Sequence, residues 1–375
     1  MSAPAVIVSG MIAATPAQGG ATWAVLQYLL GLRRLGCRMH FVEPVAADVD
    51  AASAPVRYLA ETMDRFGLGD SWTLLPEGSH PIGSSREQLL AKARDAELLL
   101  SVSGMLADPD VLEAIEVRAY LDLDPLFNQL WHAAEGVDMR FDAHNRFVSI
   151  ADTIGAPGSP IPDCGRDWLP TLPPVVLEEW PVAEGVAEPA LTTVGHWRSY
   201  GSIHHDGVHY GQKVHSLRPL LGLPRRTGAR FELALAIHPD EVDDLAALED
   251  HEWLLVDPAR VAATPEDYRR FVQRSWAEFG IAKLGYAVSN SGWFSDRSAC
   301  YLASGRPVIA QETGFGRRLP VGAGLFAFAA ESDVADAIAQ LEADYERHRD
   351  AAREIAVEHL DSDRVLGALL ERLLS

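Results

Sequence analysis

Basic residues are scarce in this sequence: 32 Lys and Arg face 53 Asp and Glu across 375 residues, a formal net charge of −21 at pH 7. A sequence-independent grip on a phosphate backbone needs clustered cations that release counterions, so nucleic acid is not an expected partner. Cysteine is rarer still. Cys37, Cys164 and Cys300 are odd in number and far apart, without the density of a disulfide scaffold or the paired spacing of a metal site, so reduced structural thiols are expected. No apolar run is long enough to span a bilayer, and the opening "MSAPAVIVSGMIAATPAQGG" lacks a basic flank and reads as a β-strand, which gives a cytoplasmic expectation. Internal repeats, low-complexity runs, a P-loop and a G-x-G-x-x-G fingerprint are also missing.

What remains is ordinary globular material, 48% hydrophobic and 23% charged, in a chain longer than one core usually organises. Two domains are expected. The first half alternates β-rich segments ("AVIVSGM", "RMHFVEP", "AELLLSVSG", "VRAYLDLDP") with helical ones ("TWAVLQYLLGLRRLG", "PVRYLAETMDRFGL"), the rhythm of a parallel sheet covered by helices. From about Asp152 to Pro189 repeated prolines remove backbone donors and mark a linker. The rhythm then resumes, with "ALTTVGHW", "FELALAI", "WLLVD" and "AKLGYAVS" read as strands. The end is almost wholly helical, with a break at Asp361-Ser362-Asp363 where Asp or Ser can cap the next helix.

In open α/β sheets ligands lie beyond the carboxyl ends of strands. Three loops of the second half qualify: Gly195-His196-Trp197-Arg198, Ser289 to Trp293, and Thr313-Gly314-Phe315-Gly316. Glycines expose backbone N–H groups, a following helix directs its positive end to the same point, and Arg198, Lys283 and Arg297 supply full charges, which together suit a diphosphate. In the first half, Gly19 and Gly20 open a helix after "IAATPAQ", where an acceptor or a sugar could approach the backbone. "YLDLDP" places Asp122 and Asp124 on one strand face; they suit hydroxyl binding, general base work, a metal shared with a diphosphate, or turn chemistry before Pro125. His196, His204, His205, His209 and His215 crowd one stretch, but "DGVHYG" is a poor helix and no cysteine is near, so polar contacts are expected there and not zinc.

Three segments carry a family resemblance: "GGATWAVLQYLLGLRRLGCRMHFVEP", "LTTVGHWRS" and "DRSACYLASGRPVIAQETGFGRRLP" with "GLFAF". Through them the chain resembles the GT-B glycosyltransferases, nucleotide-sugar-dependent enzymes whose α/β fold sets two Rossmann-like doubly wound domains across a cleft. The resemblance implies an acceptor domain over 1–183, a nucleotide-sugar domain over 184–355, and a helical tail over 356–375 that returns to the first domain. It implies donor contacts from Gly195, His196, Arg198, Lys283, Gly292, Trp293, Ser295, Asp296, Arg297, Ser298, Thr313, Gly314 and Phe315, and acceptor contacts near Gly19 and Gly20. Asp122 or Asp124 is the expected base. Asp296 would bind a donor hydroxyl or fix Arg297, two roles left open.

The family's paired-glutamate signature is absent: aligning Gly305 and Pro307 with it puts Gly292 and Cys300 where carboxylates would stand. The first-domain loop also has no His base, so stereochemistry is unassigned. The implied partners are a nucleoside diphosphate sugar as co-substrate and a small-molecule acceptor, with no cofactor, no metal and an open oligomeric state. A nucleotide-sugar epimerase and a non-catalytic binding protein on the same scaffold are the rival readings.

Overall fold

The computed structural model describes residues 4–186 and 189–375. In the first domain β1 (Ala5–Ser9), β2 (Arg38–Val45), β3 (Trp72–Pro76), β4 (Ile82–Gly83), β5 (Leu98–Val102), β6 (Val117–Asp122), β7 (Arg146–Ser149) and β8 (Trp168–Pro170) form one sheet. Its order is β4-β3-β2-β1-β5-β6-β7-β8, and only β4 runs antiparallel to its neighbour. The central strand β1 is buried throughout, as a parallel strand covered on both faces must be.

The second domain holds β9 (Ala190–His196), the hairpin β10 (Ile203–His205) and β11 (Val208–Tyr210), then β12 (Arg230–Ala236), β13 (Leu254–Leu255), β14 (Ala277–Gly280), β15 (Val308–Gln311) and β16 (Leu325–Phe328). Apart from the hairpin these pair in the order β13-β12-β9-β14-β15-β16, all parallel. Each domain is thus doubly wound, with the order reversing beside its first strand.

Two local expectations change. "AKLGYAVS" reads as a strand in sequence but folds as the helix Leu284–Ser289, and the strand is the preceding Ala277–Gly280. A short apolar run does not distinguish the two by periodicity, and the true strand carries Glu278 in its middle. Within the proline-rich segment, β8 adds to the first sheet by pairing with β7, so that part is domain and not linker.

The C-terminal helix Ser362–Leu373 begins at Asp361, whose side chain accepts from Asp363 N–H. It lies on the opening helix Gly19–Arg34: a Cβ built on Gly31 would meet Leu366 at 2.5 Å, and Arg34 pairs with Asp363 at 2.9 Å. Beneath the cleft the domains share one apolar core. Trp23 packs on Trp180 with ring centroids 5.0 Å apart, and Trp180 on Tyr268 at 6.1 Å. Burial of this aromatic seam stabilises a fixed domain arrangement. No helix among the described residues is long and apolar enough to cross a membrane.

Candidate functional site

The carboxyl ends of the two sheets face each other across a cavity of about 490 Å³. Pro16, Ala17, Gln18, Gly20 and Ala21 line it from the first domain, and Gly195, His196, Tyr268, Asp296 and Arg297 are among its second-domain walls. Four of the expected donor residues, Gly195, His196, Asp296 and Arg297, are therefore brought together.

Arg297 enters on the helix Asp296–Ala303, whose first turn is capped by the Ser295 hydroxyl accepting from Arg297 N–H. Its guanidinium is largely buried, paired with Glu278 at 2.5 Å and donating to Val194 O at 3.1 Å. Glu278, mid-strand on β14, is what anchors this cation. Arg297 is thus held by Glu278, while the Asp296 carboxylate lines the cavity at the start of the helix, beside Arg297 and the first backbone N–H groups. Burial raises the Asp296 carboxyl above its ordinary value, against the opposing pull of Arg297.

Lys213 is the residue that sequence reasoning missed. It begins the short helix Lys213–Leu217 and is buried, yet its ammonium has no hydrogen-bond or ion-pair partner among the described residues. A Cβ built on Gly195 would lie 3.1 Å from Lys213 Nζ and 3.8 Å from Arg297 Nη1. Two cations therefore converge where a side chain is missing. Burial and the nearby Arg297 push Lys213 well below the usual lysine value. Enclosure, then Lys213 and Lys283, lower His196 as well, which keeps its imidazole neutral near pH 7. An anion at this point would offset the mutual repulsion and restore the charged lysine. The sequence offered one signal, a lysine just beyond the His-rich loop, but its return to Gly195 is tertiary.

Other expected donor residues lie elsewhere. Arg198 turns away to pair with Glu241 on the surface. Lys283 is spent on Asp124 at 2.8 Å. The loops at Gly292 and Thr313 close on each other: Gly292 N–H donates to Thr313 O at 2.7 Å, and Thr313 Oγ1 donates to Trp293 O at 2.5 Å. Gly314 N–H is taken by Glu312. At Gly292, φ +81°, a Cβ would stand 2.1 Å from Asp152 Oδ1, so the glycine admits a first-domain carboxylate that pairs with Arg317 at 2.6 Å. Trp293 stacks on Tyr286 at 4.4 Å, Phe315 packs on Phe294 at 5.4 Å, and Ser298 is buried in its helix. These loops seal a domain interface, a correction to the diphosphate grip expected of their N–H groups.

The acidic pair also changes meaning. Asp122 is fully buried; Oδ1 accepts from Asn128 at 2.6 Å and Asp124 N–H at 3.0 Å, Oδ2 from Gln129 at 2.9 Å and Ser149 at 2.8 Å. Burial raises it to about 6 despite those bonds. With every neighbour structural, it has no substrate proton to take. Asp124 accepts from Lys283, from Tyr200 at 2.5 Å and from Tyr286, all of the second domain. Gly19 serves domain contact, its N–H, an orphan donor of the opening helix, bonding Ala262 O at 2.8 Å, and a Cβ there would strike Thr264 O at 2.2 Å; Gly20 lines the cavity, and a Cβ on it would meet the Tyr268 ring at 2.8 Å. His204 and His209 bond at 2.8 Å on the hairpin, but among the described residues no His, Cys, Asp or Glu group has the arrangement to hold a metal ion.

No protein-family model matches the chain, and no curated protein matches it. Solved structures do. An alpha-glucosyltransferase bound to UDP and a 13-mer DNA containing a HMU base is 11% identical, with a TM-score of 0.64 over 100% of both chains. Anabaena HepE with UDP-glucose is 12% identical, TM-score 0.60, covering 98% of this chain and 99% of that one. A glycosyltransferase from Rickettsia africae ESF-5 is 10% identical, TM-score 0.55, covering 100% and 98%. The exclusion of nucleic acid drawn from net charge is overturned by the DNA-bound structures, because chains of this architecture accommodate DNA and overall charge does not decide what one face of a cleft receives. At these identities the likeness is one of architecture: the chain has the two-domain GT-B fold.

Proposed function

We propose that this protein transfers a sugar from a nucleoside diphosphate sugar, with uridine diphosphate as the nucleotide, to a hydroxyl of a small-molecule acceptor. The observation that carries the reading is the convergence of Lys213 and Arg297 on Gly195, in a cavity that Asp296 also lines. The two cations suit a diphosphate, and they would stabilise the charge that develops on it as the sugar leaves. Asp296 is placed to accept from a donor hydroxyl. With cations supplied by side chains, the step is proposed to need no metal and no cofactor. The acceptor would enter by the first-domain cavity of about 900 Å³ beyond β2 and β3. Domain contacts on both flanks of the cleft would exclude water and so suppress donor hydrolysis.

A second reading, donor binding without transfer, is favoured by the complete commitment of Asp122 and Asp124, which leaves no base assigned. Calorimetry with UDP against uridine, followed by UDP release from UDP-sugars with hydroxylated small molecules and with hydroxymethylated duplex DNA, separates the two. Binding of UDP with acceptor-dependent release from a small molecule supports transfer. Binding without release supports the second reading, release with DNA alone replaces the small-molecule acceptor, and failure to bind any nucleoside diphosphate overturns both. Isomerised donor without acceptor would indicate the epimerase.

A further inference from the structure

Glu43 is a buried carboxylate on β2 that neither domain's ion pairs use. Its Oε2 accepts from the N–H groups of Ile12 at 3.0 Å and Ala13 at 2.9 Å, and its Oε1 from Ala14 N–H at 2.7 Å. Three successive amides of the loop after β1 are thus gathered on one side chain. Backbone N–H groups must find acceptors, and three of them find this one side chain, so Glu43 shapes the loop where no ladder or helix does. The loop's far end is held separately, by Gly19 N–H on Ala262 O.

The loop so pinned is a partition. Ala14 lines the first-domain cavity of about 900 Å³, while Pro16, Ala17 and Gln18 line the interdomain cavity of about 490 Å³. We infer that Glu43 is a positioning residue whose carboxylate fixes this wall and thereby decides whether the donor sugar passes to the acceptor or to water. The inference rests on the transfer reading above. Its physical basis is that a misplacement of about 1 Å between reacting groups costs roughly 100-fold in rate. Burial also raises the Glu43 carboxyl to about 7 against the pull of the three N–H groups, so the group is held at a cost the fold tolerates.

The test uses the full-length chain with Glu43→Gln, which keeps the shape but loses one anionic acceptor, and with Ala14→Pro, which deletes the amide that Oε1 accepts without touching Glu43. For both, the ratio of transfer to donor hydrolysis should fall by about tenfold or more, while UDP affinity stays within about twofold. Amide exchange over residues 11–18 should accelerate, with exchange in the second domain unchanged. A general loss of packing would lower UDP affinity and transfer together, and that outcome overturns the proposal. An unchanged partition ratio also overturns it. If the wild-type chain binds no nucleoside diphosphate, the transfer reading falls on its own, and Glu43 is judged by exchange: protection unchanged in both variants removes its role in holding the loop.

Discussion

Lys283 Nζ lies 2.8 Å from Asp124 Oδ2, and through that pair the second domain grips the first. Tyr200 and Tyr286 close on the same carboxylate, and the ammonium sits 4.0 Å from the Tyr200 ring centroid. The side chains are only 16% and 22% exposed, so the pair is screened little by solvent. Asp124→Asn would remove the lysine's counter-charge and leave it the Tyr200 hydroxyl alone, at a cost of about 3–5 kcal/mol. The expected result is a melting temperature lower by several degrees and a larger radius of gyration in small-angle scattering. Unchanged values of both would show that the pair does not hold the cleft in solution.

Lys213 and Arg297 should respond differently to substitution. Lys213→Gln removes a cation without abandoning a partner, so UDP affinity should fall about tenfold or more while uridine affinity holds within about twofold. Equal losses for both ligands would make Lys213 structural. Arg297→Ala instead leaves Glu278 buried and uncompensated, a loss of about 3–5 kcal/mol. Denaturant unfolding should report that loss before any binding experiment does.

Asp296 lines the cavity with a carboxylate that has acceptor positions to offer the hydroxyls of a ribose. Wild-type protein should therefore prefer UDP to its 2′-deoxy counterpart, and Asp296→Asn should bring the two affinities together. Calorimetry with the two nucleotides decides it; a preference that survives the substitution assigns the ribose elsewhere.

Asp122 provides a stability signature. Its carboxyl is raised to about 6 in the fold, above the ordinary value of about 3.9 for an unfolded chain. Because the folded value is the higher one, its contribution is fully present below about pH 4 and is lost as pH rises through 6, on the order of 3 kcal/mol. Asp122→Asn should flatten that part of the stability profile, measured by urea unfolding between about pH 4 and 7. A parallel profile for the two proteins would mean that Asp122 titrates normally.

The helix from Ser295, the strand ends at Gly195 and the capped break at Asp361 could be read directly from sequence, because caps, glycines and apolar periodicity are local properties. The glycine-bearing loops at Ser289 to Trp293 and at Thr313 to Gly316 do flank the helix Asp296–Ala303 and the strand β15, but they are closed on each other and largely buried. Their purpose was not legible. Asp152 reaches into Gly292 from 140 residues away in the chain, as Tyr200 and Lys283 reach Asp124 from the other domain, and no local pattern encodes such meetings.

Sequence alone therefore determined the α/β architecture with its two largely parallel sheets, because the alternation of apolar strands and helices is a local property. Tertiary structure decided which of the candidate site residues are available. A carboxylate or cation is functional or structural according to whether its partners already satisfy it, and for Asp122, Asp124, Arg198 and Lys283 they do. Lys213 and Arg297 meet beside Gly195, in a cavity Asp296 also lines, a property fixed only when distant strands and helices pack together.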